Sequence, residues 1–467
     1  MSKDAGWSTL RNLVHNTMKK LDKKSITHAE AFFTNTQTTE VTVRNSEILT
    51  QSRVADAGVG FRVVLEKDKV GFASTNALNE RDILKTGEKA LSIAKASSPL
   101  SNFALPDANR PRKVKGLFDR RVAEMSVDEA VNVAKRAVDA AEGFDKRVTA
   151  KDGRVSYTSG WRGVLNTLDV DCEEQETRAY IYLGGNGRQN GEVTGECMDF
   201  MFERGADLNP EVVGQNVARM VIALFNAKSV PSFDGPVIFG PKTVSYQILS
   251  VLADVMNGSN VVSGRSVWSG KINDHVASDE FSVRDDAALE GGFASRSFDD
   301  EGYPSQNTLL IDRGKLKSFL HQATTAKAMK TENTGNASRY VGDGDMVSMI
   351  TGNGYRTKPQ VYPSNLIIYG GDKSQEKLVS EIDKGVLVES MAGFPQQGSG
   401  LVSARLSRAF FVEQGEIQFA VKDAMVSGVA FNWLNQISGV GNDSKQFMNA
   451  VVPSIRVENV SVVSASI

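Results

Sequence analysis

The chain contains 467 residues, more than one ordinary hydrophobic core accommodates, so two or three domains are expected. Hydrophobic residues make up 40% of the chain and charged residues 24%, a globular composition that argues against overall disorder. The net charge of -2 lacks the basic excess of a duplex-binding protein, so no nucleic-acid partner is expected.

Cysteine content and the N-terminal segment indicate the cellular compartment. Cys172 and Cys197 are too few for a disulfide framework, and we interpret them as small, half-buried strand residues in a reducing compartment. Residues 1–24 contain no long apolar stretch and no small-residue cleavage signal. No apolar run approaches the ~20 residues that span a bilayer. We therefore expect a cytoplasmic protein without a membrane partner.

The first predicted domain, residues 1–110, combines helices and strands. Apolar residues at helical spacing predict an amphipathic helix over residues 10–21. Alternating polar and apolar residues predict a strand at residues 40–44, and two further strands are predicted at 60–66 and 70–75. A helix is predicted to begin after Asn79, whose side chain can cap its first turn.

The second predicted domain, residues 111–229, repeats this plan after a segment rich in Ser, Pro and Asn. Ser126 and Glu129 predict a capping box at the start of a helix. Strand-like runs follow through about residue 204, and Asn209-Pro210 predicts the start of another helix. Helix, strands and helix thus occur twice, without a residue pattern that demonstrates duplication.

The third predicted domain, residues 230–467, begins with one helix at about 242–256 and continues as short strands and glycine-rich turns. Many short strands joined by glycine turns are typical of a sandwich or barrel. The expected fold class is therefore α+β. An N-terminal α/β region of helix–strands–helix units precedes a mostly β C-terminal domain that is sandwich- or barrel-like.

Five blocks of sequence, in order within residues 40–443, resemble those of the TldD/PmbA family of peptidase-related proteins, also known for a proposed modulation of DNA gyrase. The first, Gly58-Val-Gly-Phe-Arg-Val-Val followed by Gly71-Phe-Ala-Ser-Thr, is similar to the family's "G-x-G-x-R-V … G-x-x-S-T". The others are the loop 257–266, residues 294–302 with 309–320, residues 334–337, and residues 411–422 with 426–428 and 440–443.

The resemblance implies a metallopeptidase family with two branches. The TldD branch carries H-E-x-x-x-H on a helix of its C-terminal domain, where imidazoles hold a metal and the glutamate acts on metal-bound water. The corresponding positions here, within about one residue, are Leu249, Ser250 and Asp254. Because the helix presents a plain apolar face without histidine, the chain resembles the PmbA (TldE) branch. We expect no catalytic residue and no metal ligand in this chain, and zinc only in a TldD-like partner.

The four histidines do not have the spacing of paired metal ligands. His15 is predicted on a helix surface, His28 at the start of a strand, and His321 in a packing or capping role. His275, with the acidic residues around it, is the one cluster with ligand-type chemistry, and a charged loop is its ordinary interpretation. The acidic run 299–301 is a candidate carboxylate group, but we expect a water-exposed turn there.

Three functional hypotheses remain open. The first is a PmbA/TldE-like subunit that completes the peptide cleft of a heterodimer with a TldD-like zinc metallopeptidase, which processes or degrades small peptides. The second is a homodimeric, non-catalytic peptide-binding or scaffold protein. The third is an independent metallopeptidase that uses unforeseen ligands.

The candidates for lining a substrate cleft are loop residues next to the motif positions that lack histidine. The same loop is equally consistent with a structural helix C-cap and turn. These candidates are Asn257, Gly258, Asn260 and Arg265.

Overall fold

The structure is a computed structural model that describes residues 3–22, 26–108, 110–339 and 354–464. The predicted α+β class is confirmed: helices and strands alternate in the first half, and strands dominate the second. Among the described residues, no helix is long and apolar enough to cross a membrane.

The first half contains two helix–strands–helix units. The first unit consists of α1 (Lys3–Asp22), β1 (His28–Arg44), β2 (Glu47–Leu65), a 3-10 turn (Glu66–Asp68), β3 (Lys69–Thr75) and α2 (Glu80–Ala96). The second unit consists of α3 (Arg120–Glu124), α4 (Val127–Phe144), β4 (Val148–Asn166), β5 (Asp171–Gln189), β6 (Glu192–Val193), β7 (Cys197–Glu203) and α5 (Pro210–Phe225).

The helix starts predicted from the sequence are confirmed by their capping contacts. The side chain of Asn79 accepts a hydrogen bond from the backbone N–H of Asp82, which satisfies an amide of the first turn of α2. Ser126 and Glu129 form the reciprocal capping box of α4. Asn209 caps α5, with proline at the first helical position.

Both units share one antiparallel sheet of order β3-β2-β1-β4-β5, with β6 and β7 paired to β5. Its centre is the β1–β4 ladder, which runs from Glu30 opposite Asn166 to Arg44 opposite Asp152. Helices α1 and α2 contribute to one apolar core of this sheet, and α4 and α5 contribute to another. The predicted boundaries at 110 and 229 fall between α2 and α3 and between α5 and the next strand. The division into three domains stays a prediction.

The second half begins with β8 (Phe233–Phe239), α6 (Pro241–Val255) and α7 (Gly258–Val262). Its middle contains β9 (Val283–Asp286), β10 (Asn307–Asp312), β11 (Lys315–Leu316), α8 (Ala323–Met329), β12 (Ala337–Ser338), a 3-10 turn (Gly354–Arg356), β13 (Gln360–Val361), β14 (Leu366–Ile368), α9 (Gln375–Ser380) and β15 (Lys384–Ala392). It ends with β16 (Leu401–Glu413), β17 (Glu416–Ala420), β18 (Ala424–Val429), α10 (Ala430–Asn435), β19 (Ile437–Val440), β20 (Lys445–Phe447), β21 (Ala450–Val452) and β22 (Ile455–Ser464).

The strands of the second half form a closed ring and an open sheet. The order β15-β8-β22-β18-β16 closes on itself because β15 also pairs with β16, which confirms the barrel-like prediction. A second sheet has the order β11-β10-β9-β14-β21-β20. Helix α6 contacts both β15 of the ring and β21 of the open sheet, and its apolar face is buried as predicted. Its burial fixes α6 in the core and leaves its opposite face for a surface cleft.

Candidate functional site

Helix α6 carries Leu249, Ser250 and Asp254, the residues expected, within about one residue, at the positions of the TldD-branch motif. Leu249 is only 5% exposed and belongs to the hydrophobic core. Ser250 is exposed, and its hydroxyl donates a 3.1 Å hydrogen bond to the backbone carbonyl of Gln247 one turn earlier. Asp254, the third position, is half-buried. One apolar side chain, one hydroxyl and one carboxylate do not make the nitrogen- and sulfur-rich ligand set of a hydrolytic zinc site.

The carboxylate of Asp254 organises the loops around the end of α6. One oxygen accepts a 2.8 Å hydrogen bond from the side-chain amide of Asn260, and the other accepts a 2.8 Å hydrogen bond from the backbone N–H of Gly398. The guanidinium of Arg265 in turn donates to the side-chain oxygen of Asn260 at 2.9 Å. Asp254 therefore ties two separate loops to the C-terminal end of α6.

This polar chain borders an open cleft of about 640 Å³. Asn257, Asn260 and Arg265, three of the four candidates named from the sequence, lie on its wall. Other lining residues come from distant parts of the chain and gave no local sequence signal. The full lining is Ser250, Ala253, Asp254, Asn257, Asn260, Arg265, Ser338, Gln360, Val361, Tyr362, Gln397 and Gly398.

The fourth candidate, Gly258, lies in the packed interior rather than on the cleft wall. Its backbone N–H donates a 2.8 Å hydrogen bond to the carbonyl of Leu320. A Cβ atom at this position would lie 2.5 Å from Nδ1 of His321, closer than any ordinary contact. Gly258 therefore permits a close approach of two backbone segments that supports the cleft from behind.

Asn257 has a structural role that differs from the predicted helix C-cap. Its side-chain oxygen accepts a 2.8 Å hydrogen bond from the backbone N–H of Ser259, so it is the N-cap of α7. Its amide nitrogen donates a 2.9 Å hydrogen bond to the carbonyl of Val361 in β13. The C-cap interpretation is therefore wrong for this residue, because a second helix begins directly after α6.

The histidines lie apart from the cleft or are held by packing. His275 lies 3.4 Å from Asp279 with both side chains more than half exposed, as expected for a charged loop. His321 is buried, its Nδ1 lies 3.2 Å from the hydroxyl of Thr325, and burial lowers its pKa to about 4. His15 is 39% exposed at the surface. Within the described ranges, no three His, Cys, Asp or Glu side chains are grouped as metal ligands.

The acidic run 299–301 is buried, so the expectation of a water-exposed turn is wrong. Asp299 and Glu301 are 0% exposed, and Asp300 is 8% exposed. The reason is that two strand arginines of the N-terminal sheet reach this turn. Arg162 lies 2.5 Å from Asp300, and Arg62 lies 2.8 Å from Glu301. β2 and β4 each contain two arginines, Arg53 and Arg62 in β2 and Arg154 and Arg162 in β4, and no local pattern indicates which of them reaches the turn.

These buried charges join the two halves of the molecule next to the cleft. Glu30 of β1 pairs with Arg62 and also with Arg339, which follows the cleft residue Ser338. Burial, and then the neighbouring Glu301, raise the pKa of Asp299 to about 7. The network fixes the position of β12, and through it one wall of the cleft, relative to the N-terminal sheet.

Three family profiles match the chain: residues 29–94 match "PmbA/TldA metallopeptidase domain 1", residues 120–225 the central domain and residues 232–464 the C-terminal domain. The chain therefore belongs to the TldD/PmbA family, as the sequence blocks predicted.

Curated relatives and solved structures match over nearly the whole chain. A metalloprotease of Methanocaldococcus jannaschii is 28% identical over 422 residues, which cover 86% of this chain and 87% of that protein. Metalloprotease PmbA of Escherichia coli O157:H7 is 25% identical over 454 residues, with 93% and 92% covered. The crystal structure of TldE from Thermococcus kodakarensis matches with a TM-score of 0.85 at 25% identity and covers 97% of this chain and 100% of that one.

A Thermotoga maritima crystal structure, described as a proposed modulator of a DNA gyrase, has the same TM-score of 0.85 at 25% identity, with 97% of this chain and 99% of that chain covered.

Proposed function

We propose that this chain is the PmbA/TldE-type subunit of a heterodimeric metallopeptidase, in which a TldD-like partner holds the zinc. The observation that carries the proposal is which residues α6 has at the cleft. It lines a cleft large enough for a peptide, yet its motif positions are Leu249, Ser250 and Asp254. Among the residues that the structure describes, no three possible metal ligands are grouped, so we assign no bond cleavage to them.

The role of this chain is to bind and orient a small extended peptide. Backbone carbonyls and N–H groups of an extended peptide need polar partners, and the cleft wall is polar at Asn257, Asn260 and Arg265. The two asparagine side chains hold the loops in place, and the contact of Arg265 with Asn260 uses only part of its five N–H donors. The paired strands β12 and β13 also line the cleft, through Ser338 and Gln360. Likeness to a structure named TldE and to proteins named metalloprotease PmbA supports this assignment.

The proposed setting is the cytoplasm, with peptide and partner subunit as the binding partners and neither nucleic acid nor membrane involved. Cys172 and Cys197 are both unpaired and buried, which suits a reducing compartment. The net charge of -2 gives no electrostatic attraction to a nucleic acid.

Co-expression tests the proposal. The tagged full chain is produced alone, with a TldD-like chain that contains H-E-x-x-x-H, and with the same TldD-like chain after both motif histidines are replaced by alanine. We expect zinc and peptide cleavage only in the complex with the intact motif, and a chelator abolishes that cleavage. The motif variant is the matched control, since it retains the partner surface.

Two results would contradict the proposal. A stable homodimer that ignores the TldD-like chain would favour the scaffold hypothesis. Stoichiometric zinc in the isolated chain, together with chelator-sensitive cleavage, would show an independent metallopeptidase.

A further inference from the structure

A second, apolar pocket lies on α6 beside the cleft. It has a volume of about 250 Å³ and shares Ser250, Ala253 and Tyr362 with the cleft, so the two form one continuous groove. We call it the aromatic pocket. Its lining includes the large side chains of Tyr246, Leu249, Tyr362, Leu366, Phe394 and Phe447.

Phe394 forms the outer wall of the aromatic pocket. Its side chain is 70% exposed, an unfavourable state for a phenylalanine ring in water. The segment that carries it is nevertheless fixed at both ends. Gln247 donates a 2.7 Å hydrogen bond to the carbonyl of Gly393, and the N–H of Gly398 is held by Asp254 at 2.8 Å. The Phe394 ring also meets the ring of Tyr246 edge to face, with centroids 6.2 Å apart.

The inner wall of the aromatic pocket contains Leu249, the first of the three motif positions on α6. Where a histidine would direct a polar ring at the groove, leucine extends an apolar surface that continues to Leu366 and Phe447. No lining side chain of this pocket carries a charge. The position that lacks a metal ligand is therefore part of a surface suited to an apolar group.

We propose that the aromatic pocket binds one bulky apolar side chain, of leucine, methionine or phenylalanine size, from a peptide whose backbone lies in the cleft. This inference rests on the proposed function and specifies its substrate class. The volume lies below the roughly 300–1,000 Å³ of sites that enclose a whole small molecule, and it suits a single side chain. Continuity with the polar cleft selects a peptide as the occupant, since a peptide offers polar backbone and apolar side chain together.

Peptide affinity measured on the isolated full chain tests the inference without the catalytic partner. The probes are fluorescein-labelled nine-residue peptides of Ser, Thr and Gly that differ only in a central Phe, Leu or Ala. We expect the Phe and Leu peptides to bind about tenfold more tightly than the Ala peptide, because burial of such a side chain contributes about 1.5 kcal/mol or more. Fluorescence anisotropy gives the Kd of each.

Two variants locate the effect. Phe394→Ala should reduce the Phe-to-Ala preference at least about threefold, because it removes the outer wall of the pocket. Phe144→Ala is the matched control: this ring is 46% exposed on α4, away from the groove, so the preference should not change. Both rings are surface residues, so both variants should retain the wild-type melting temperature.

Each possible outcome either supports or overturns the binding of an apolar side chain in the aromatic pocket. Equal affinity for the three peptides, or an equal loss of affinity for all of them in Phe394→Ala, overturns the aromatic pocket and leaves the proposed function intact. Absence of binding by any peptide contradicts both. A change from dimer to monomer in Phe394→Ala, measured by light scattering, would show that a second copy of the chain covers the pocket and would also overturn the inference.

Discussion

The guanidinium of Arg62 in β2 lies 2.8 Å from the carboxylate of Glu301, although 239 positions separate them in the sequence. Both side chains are almost fully excluded from water, and Arg62 also contacts Glu30 at 2.5 Å. Removing one partner of such a pair leaves an uncompensated buried charge, which costs far more than an exposed ion pair contributes. The contact therefore fixes how the N-terminal sheet meets the C-terminal half.

Arg62→Met should lower the free energy of unfolding by about 3–5 kcal/mol, because Glu301 then remains buried without its cation. Urea denaturation followed by circular dichroism measures the change. Arg136→Met is the matched control, since it breaks the exposed pair with Glu211, in which the side chains are 54% and 40% exposed. The control should change stability by no more than about 1 kcal/mol. Similar losses of unfolding free energy in both variants would show that the buried Arg62 pair contributes no more to stability than an exposed ion pair.

The stability of the protein should also depend on pH through Asp285 of β9. Burial raises the pKa of this carboxyl from 3.8 to about 6, against the hydrogen bonds from Asn336 and Ser364. Between about pH 4 and pH 6 the folded state keeps a proton that the unfolded chain has released. The contribution of Asp285 to the free energy of unfolding is therefore full below this window and falls as the pH rises through it.

Asp285→Asn removes this titration. The difference in unfolding free energy, variant minus wild type, should increase from about pH 4 to pH 7 in urea titrations. The new amide faces the amide of Asn336, so the variant is less stable overall, and only the slope tests the pKa. A difference that stays constant across this range would show that Asp285 has an ordinary pKa in the folded protein.

Local signals predicted the elements of the fold well. The caps at Asn79, Ser126 and Asn209 could be predicted from the sequence because each acts within one turn of its own helix. Local sequence signals did not predict that the two helix–strands–helix units join into one sheet. The β1–β4 ladder pairs Glu30 with Asn166, and no local pattern specifies a partner so distant in sequence.

The residues of the candidate site also divide into those that local sequence predicted and those that only the tertiary fold brings to the cleft. Asn260 and Arg265 lie on the cleft because they are close in sequence to α6. Ser338 and Gln397 reach the same cleft only through the tertiary fold. The acidic turn at residues 299–301 was wrongly expected in water, because single-sequence composition does not show which arginines will face it.

Gly258→Ala should destabilise the protein by about 1–3 kcal/mol, because the added methyl group would lie 2.5 Å from both the His321 ring and the Leu320 carbonyl. The thermal melting midpoint measures the change. Gly143→Ala is the matched control: it lies in helix α4 with nothing within 4 Å of the added carbon. That variant should gain about 0.5–1 kcal/mol from helix propensity. Equal effects of the two substitutions would show that the packing behind the cleft is adaptable.

Arg265→Ala should weaken peptide binding about tenfold without a change in melting temperature. Arg265 is exposed at the cleft, and its contact with Asn260 uses only part of its five N–H donors. A charge-assisted hydrogen bond to a peptide oxygen contributes about 1.5 kcal/mol, which corresponds to roughly tenfold in Kd.

The anisotropy assay with the Phe peptide measures the effect of Arg265→Ala, and Arg53→Ala provides the control. Arg53 is an equally charged, exposed residue on β2 that donates to Gln37, away from the cleft. Its removal changes the net charge by the same amount, so it corrects for general electrostatic attraction of the peptide. Equal losses of affinity in the two variants would mean that Arg265 acts only through net charge. A lowered melting temperature in Arg265→Ala alone would instead assign this arginine to holding the Asn260 loop.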